Sequence, residues 1–166
     1  LMDEDIDQAK SFLLGFSNIL RYQVYECKEE KIRLSKEFDF LEDVFQLWKY
    51  RLGDDASIQW QFENETQELY IAPLIFYPFV ENAFKYLSND DDSAQNQVHA
   101  TIQAKGQQVD FVLTNTYISL EHTNKSGIGL LNVQERLQLI YPMKHELSIK
   151  KTARHYTIQL TLKLDD

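Results

Sequence analysis

Through Leu52 the apolar positions step by three and four. Ile6, Ala9, Leu13, Phe16 and Leu20 form a narrow seam at helical spacing, and Phe12 and Ile19 widen it into a face able to pack on a partner helix. This pattern predicts one helix over residues 3–29, interrupted at Lys28-Glu29-Glu30-Lys31. A second helix is expected from Ser35, with Phe38, Leu41, Phe45, Trp48 and Leu52 repeating the step. Ser35 is placed to cap it, Glu37 falls in the first turn near the positive end of the helix dipole, and Gly53-Asp54-Asp55 stops it.

Beyond Asp55 the period becomes two. Ile58, Trp60 and Phe62 alternate with Gln59 and Gln61, the pattern of a half-buried strand. Pro73 is expected to open a third helix reaching Ser88. Its hydrogen-bonded part starts near Pro78, because an interior proline has no N–H to give. The acidic run Asn89-Asp90-Asp91-Asp92 closes that helix. Residues 98–104 and 109–114 read as adjacent strands joined at Lys105-Gly106-Gln107. A polar loop over 119–126 leads through Gly127-Ile128-Gly129 into a fourth helix over 130–141, and strands follow at 146–150 and 156–164. Adjacent strands imply antiparallel pairing. The expected fold is therefore α+β: a two-layer α/β sandwich whose mixed, mostly antiparallel sheet carries helices on one face, preceded by a helical N-terminal segment.

Composition narrows the chemistry. Hydrophobic residues at 43% and charged residues at 26% are the balance of a soluble globular chain. A formal charge of −9 repels phosphate backbones, so nucleic acid is not expected as a partner. A single cysteine, Cys27, excludes an internal disulfide and a multi-thiolate zinc site. The histidines show no metal-ligand spacing: His99 and His155 read as strand residues, His122 and His145 as loop residues. No apolar run approaches the roughly 18 residues of a membrane span, and no segment reads as a signal peptide. Trp48 and Trp60 are expected as core anchors.

Two motifs carry candidate chemistry. In Phe79-Val80-Glu81-Asn82-Ala83-Phe84-Lys85-Tyr86, helical geometry puts Glu81, Asn82 and Lys85 on one arc of an otherwise apolar helix. An amide oxygen can ligate a hard cation, an ammonium can meet phosphate oxygens, and a carboxylate can take or orient a proton. The same residues also fit an ordinary solvated face with a Glu81–Lys85 pair four apart. In Ser126-Gly127-Ile128-Gly129-Leu130-Leu131-Asn132, two of the chain's five glycines stand at a helix mouth, where backbone N–H groups can approach an anion. A tight turn without a ligand would look similar. The third glycine of a dinucleotide fingerprint and any Gly-Lys-Ser/Thr loop are missing.

Taken together and in this order, the motifs resemble those of the histidine-kinase-like ATPases of the Bergerat nucleotide-binding fold, in particular the LytS/YehU-type sensor histidine kinases of bacteria. Residues 73–86 are similar to the N box and residues 126–137 to the glycine-rich G box. Leu20-Arg21-Tyr22-Gln23-Val24-Tyr25 resembles the helix after the phosphoacceptor helix, and Glu37-Phe38-Asp39-Phe40-Leu41 the linker helix. The resemblance implies a helical dimerisation segment over 1–33 and an ATPase domain over 34–166. It implies ATP and magnesium as ligands, with Asn82 ligating the metal, Glu81 as the acid–base group near the γ-phosphate, Lys85 holding phosphate and Tyr86 flanking the nucleotide. Gly127, Ile128, Gly129 and Leu130 then turn backbone N–H groups to phosphate, Asn132 sits one turn further in, and residues 116–126 form a short lid.

Two departures qualify it. The superfamily's Asp-x-Gly-x-Gly box is absent, and Asn115 stands at the aspartate position; its side-chain oxygen can accept from the adenine amine, but without charge. The phosphoacceptor segment is absent too, which places that histidine upstream of Leu1. The function implied is the ATP-binding catalytic domain of a two-component sensor histidine kinase, passing γ-phosphoryl to a histidine and onward to a response-regulator aspartate. The alternative is a nucleotide-binding or degenerate signalling and dimerisation module. The resemblance also implies a homodimer through the N-terminal helices, and a cytoplasmic placement in a bacterial sensor anchored in the inner membrane, with no membrane contact by this chain itself.

Overall fold

In the computed structural model, residues 2–65, 68–88, 95–117 and 128–164 are described. The first helix, α1 (Met2–Tyr25), divides its apolar positions between two faces. Ile19 and Tyr22 are buried against the second helix, α2 (Leu34–Leu52), and the Phe12 ring lies 5.1 Å from that of Tyr50. The seam read from the sequence points the other way: Ile6, Leu13, Phe16 and Leu20 are 48%, 61%, 44% and 46% exposed. The residues that seemed only to widen the seam are thus the ones that pack within the chain.

Helix α1 gives way to a 3-10 turn at Glu26–Lys28, and β1 (Ile32–Arg33) follows, paired antiparallel with β3 (Tyr70–Ile71). Two residues are too few to show a period, so neither strand was legible. Their pairing corrects the capping expectation. Extended backbone runs up to Arg33, which is the N-cap without a side-chain bond, and Ser35 lies inside the helix. The Leu34 N–H is already satisfied by the Leu69 carbonyl at 2.7 Å, so a serine cap is not needed there. At the other end Gly53, at φ 54°, donates its N–H to the Lys49 carbonyl and stops the helix as expected.

The main sheet comprises β2 (Ser57–Asn64), β4 (Gln97–Lys105), β5 (Gln108–Thr116), β6 (His145–Lys151) and β7 (His155–Lys163), in the order β2-β4-β5-β7-β6. Only β2–β4 is parallel, which demands a crossover; β3 and the third helix, α3 (Tyr77–Lys85), supply it. The β4–β5 hairpin turns at Gly106, whose φ of 58° suits glycine. His145 opens β6 rather than sitting in a loop, and its Nδ1 lies 2.7 Å from the Tyr141 carbonyl oxygen. His122 lies outside the described residues.

Register sorts the side chains by face. Trp60, Ala100, Leu113 and Ile158 form one cross-strand row, and Phe62, Ile102, Phe111 and Leu160 the next. The helices cover this face. Phe45 of α2 meets Trp60 at 5.4 Å and Phe84 of α3 at 5.5 Å, and Phe79 of α3 meets Phe111 at 6.0 Å. Trp48 stacks on Phe84 at 4.7 Å, as a core anchor should. The opposite face is polar, with the Thr114 and Thr157 hydroxyls 3.1 Å apart and Thr161 donating to Asp110 at 2.6 Å. Burial on one side only is what the alternating strands required.

Helix α3 is shorter than expected at both ends. Residues 73–76 are a turn with Leu74 at φ 57°, and the helix begins at Tyr77 with Pro78 in its first turn. It ends at Lys85, after which Leu87 bridges to Tyr117. The fourth helix, α4 (Ile128–Ile140), starts two residues before the expected Leu130.

Candidate functional site

Helix α3 buries Phe79, Val80, Ala83 and Phe84, so the intervening positions must face outward. Glu81 and Lys85 are exposed and Asn82 is half-buried, which puts carboxylate, ammonium and amide along one side of the helix. The Lys85 ammonium lies 5.2 Å from the centre of the Tyr86 ring, itself half-buried. Burial, and then the Glu81 charge, push the Tyr77 phenol above its ordinary range.

The end of α3 is tied to the exit of β5. The Ser88 N–H donates to the Thr116 carbonyl at 3.1 Å, and the Ser88 hydroxyl donates to Asn96 Oδ1 at 2.8 Å and lies 2.6 Å from Thr116 Oγ1. Asn115, one residue earlier on β5, is 2% exposed. Its Nδ2 donates to the Thr116 carbonyl at 2.9 Å, which fixes the amide so that Oδ1 is the acceptor end. The fold therefore ties the end of α3, which carries Lys85 and Tyr86, to the strand end that carries Asn115.

Of the glycine motif, Ile128 and Gly129 begin α4, Leu130 is half-buried and Asn132 is exposed. Gly127 and the expected lid beyond Tyr117 lie outside the described residues. The same helix reaches the turn before α3: Arg136 donates to the Pro73 carbonyl at 2.6 Å and to the Leu74 carbonyl at 3.1 Å. The Ala72 N–H donates to the Tyr141 hydroxyl at 2.8 Å, just beyond the end of α4.

Glu37 completes this support and was missed as a site residue. It is fully buried, and its Oε2 accepts from the Tyr22 hydroxyl of α1 and from the Leu74 N–H at 3.0 Å. Burial raises its carboxyl above the ordinary value, against the opposing pull of the Tyr22 and Leu74 hydrogen bonds and the Arg136 charge. One signal was available. Glu37 stands four residues before Leu41 and seven before Val44, on the stripe that α2 buries.

The architecture is that of histidine kinase catalytic domains. The catalytic domain of histidine kinase ThkA superposes with a TM-score of 0.54 at 13% identity, covering 81% of this chain and 94% of that one. Histidine kinase AdeS of Acinetobacter baumannii gives 0.53 at 12% identity, over 97% and 77% of the two chains. ThkA has also been solved in complex with the response regulator protein TrrA, and that structure matches with a TM-score of 0.53 at 12% identity, over 92% of this chain and 48% of that one.

Sequence comparison gives similar proteins of the same kind. Residues 1–56 match the family model described as Histidine kinase. Sensor protein LytS of Staphylococcus epidermidis is 22% identical over 93% of this chain, and sensor histidine kinase YpdA of Escherichia coli is 25% identical over 81%. Over most of its length this chain is similar to LytS-type sensor histidine kinases, at about 22% identity. It spans 28% of the length of that LytS and 25% of that YpdA.

Proposed function

We propose that the chain is the ATP-binding catalytic portion of a two-component sensor histidine kinase, with residues 1–33 in its dimerisation segment and 34–166 in its ATPase domain. The observation that carries this is the shared side of Glu81, Asn82 and Lys85 on a helix whose exit is tied at Ser88 to Thr116, next to Asn115 on β5. In this reading Lys85 pairs with phosphate oxygens, Asn115 Oδ1 accepts from the adenine amine, and Tyr86 flanks the nucleotide. The backbone N–H groups of residues 127–130 turn to phosphate, with Asn132 one turn on. Glu81 takes or orients the proton of the acceptor imidazole, which lies outside this chain. The donor set suits magnesium. Among the described residues no three His, Cys, Asp or Glu side chains gather, so Asn82 would hold the ion together with water and phosphate oxygens. When bound, magnesium neutralises charge on the phosphates; the protein's part is positioning.

The phosphoryl group then passes to a response-regulator aspartate. Among the described residues no helix is long and apolar enough to cross a membrane, and we assign any anchor to other parts of the protein, with this portion on the cytoplasmic side. The test is phosphoryl transfer in the full-length protein with ATP labelled at the γ-phosphate. Label on a histidine preceding α1 supports the kinase reading. Nucleotide binding with no labelled histidine contradicts it and favours the signalling module, which the uncharged Asn115 also favours.

The exposed seam of α1 supports dimerisation. Leu13 and Leu20 are too exposed to serve the monomer's core, and a second copy gives them a place to pack. The double change Leu13→Glu, Leu20→Glu is expected to shift the full-length protein from dimer to monomer in sedimentation equilibrium, with nucleotide affinity unchanged.

A further inference from the structure

Tyr156 stands opposite Asn115 in the β5–β7 register, so the two side chains project from the same face of the sheet, on adjacent strands. Its ring is held on two sides: Tyr117 meets it edge-on at 6.1 Å, and the Lys151 ammonium lies 5.2 Å from its centre. The Tyr117 hydroxyl donates to the Thr152 carbonyl at 2.9 Å, which fixes that neighbour in turn. The Tyr156 hydroxyl oxygen is nevertheless buried with no hydrogen-bond partner among the described residues. Buried hydroxyls are almost always paired, and an orphan is costly enough to need a reason. A phenylalanine would fill the same space without that cost.

We propose that Tyr156 is a base-recognition residue, its hydroxyl donating to N1 of adenine beside the exocyclic amine held by Asn115. This rests on the nucleotide reading above and adds to it a second, adjacent contact. The chemistry matches in pairs. Asn115 spends its Nδ2 on Thr116, so it presents an acceptor, and the amine at C6 is a donor. N1, next to that amine, is an acceptor and needs a donor. A phenol carries its proton at neutral pH, and burial pushes that of Tyr156 higher still. The orphan hydroxyl is then a preorganised donor whose unmet bond is completed by ligand. The stability given up in the free protein is recovered on binding.

The test compares ATP with 1-deaza-ATP, in which N1 is replaced by CH, on the intact chain and on Tyr156→Phe. The native chain is expected to bind ATP about 5–10-fold more tightly than 1-deaza-ATP, the span of one net hydrogen bond. In Tyr156→Phe that ratio falls to about one, because the protein partner of N1 is gone. Without ligand, Tyr156→Phe is expected to melt a few degrees higher, by roughly what relief of one buried orphan provides. A ratio that persists in Tyr156→Phe, or equal affinity for both nucleotides in the native chain, overturns the proposal and leaves the nucleotide site standing. Absence of any ATP binding by the native chain overturns the nucleotide reading itself.

Discussion

Glu81→Gln is expected to lower γ-phosphoryl transfer in the full-length protein by about 10²–10⁴-fold, the usual span of a positioned acid–base group. Nucleotide affinity should stay within about twofold. The reasoning is local. Glu81 is exposed on α3, between buried Val80 and Ala83, and it makes no contact that the core needs. Glutamine keeps the helix propensity and the reach of the side chain but cannot accept a proton. Loss of transfer with retained binding therefore isolates a chemical role. Loss of both would point to a structural or electrostatic role, and loss of neither would return Glu81 to the ordinary solvated face that its spacing also allows. The assay is single-turnover labelling, run beside a binding titration of the same variant.

Glu37→Ala is expected to cost about 3–5 kcal/mol of folding free energy in urea denaturation, because it strands two buried donors at about 1–3 kcal/mol each and opens a cavity. Those donors are the Tyr22 hydroxyl and the Leu74 N–H. Glu37→Gln keeps the volume and an acceptor oxygen, and should cost much less. The two proteins should also differ in pH dependence. The folded Glu37 carboxyl is raised above its ordinary value of 4.5, so the folded state holds this proton more tightly than the unfolded chain. Its contribution is fully present below that value and is lost as pH rises through the folded pKa. The stability of the native chain relative to Glu37→Gln should therefore be greatest at the acid end and shrink with rising pH.

The placement of Glu37 explains what was and was not legible in the sequence. Periodicity located each long element, because a helix or strand that buries one face must repeat its apolar positions. It failed at residues 73–76, where Pro73 looked like a helix start. There the backbone is held by groups from distant parts of the chain: Glu37, Arg136 and Tyr141 bind the carbonyls and N–H groups of Ala72, Pro73 and Leu74. No local pattern encodes such partners. The α1 seam shows a related limit. Spacing read one seam widened by Phe12 and Ile19 into a single face, and could not say that the chain itself covers only the widening residues. Among the candidate site residues, the arc of Glu81, Asn82 and Lys85 followed from helical geometry alone. Tyr156 did not, because its pairing with Asn115 is a matter of strand register between segments far apart in sequence.

The nucleotide site is the claim on which the remaining readings depend. Calorimetric titration of this chain with ATP, with and without magnesium and with Asn82→Ala alongside, tests it most directly. We expect magnesium-dependent binding to the native chain and its loss in Asn82→Ala, with the variant's melting temperature unchanged because Asn82 is only half-buried. No heat and no thermal stabilisation of the native chain at millimolar nucleotide would contradict the account.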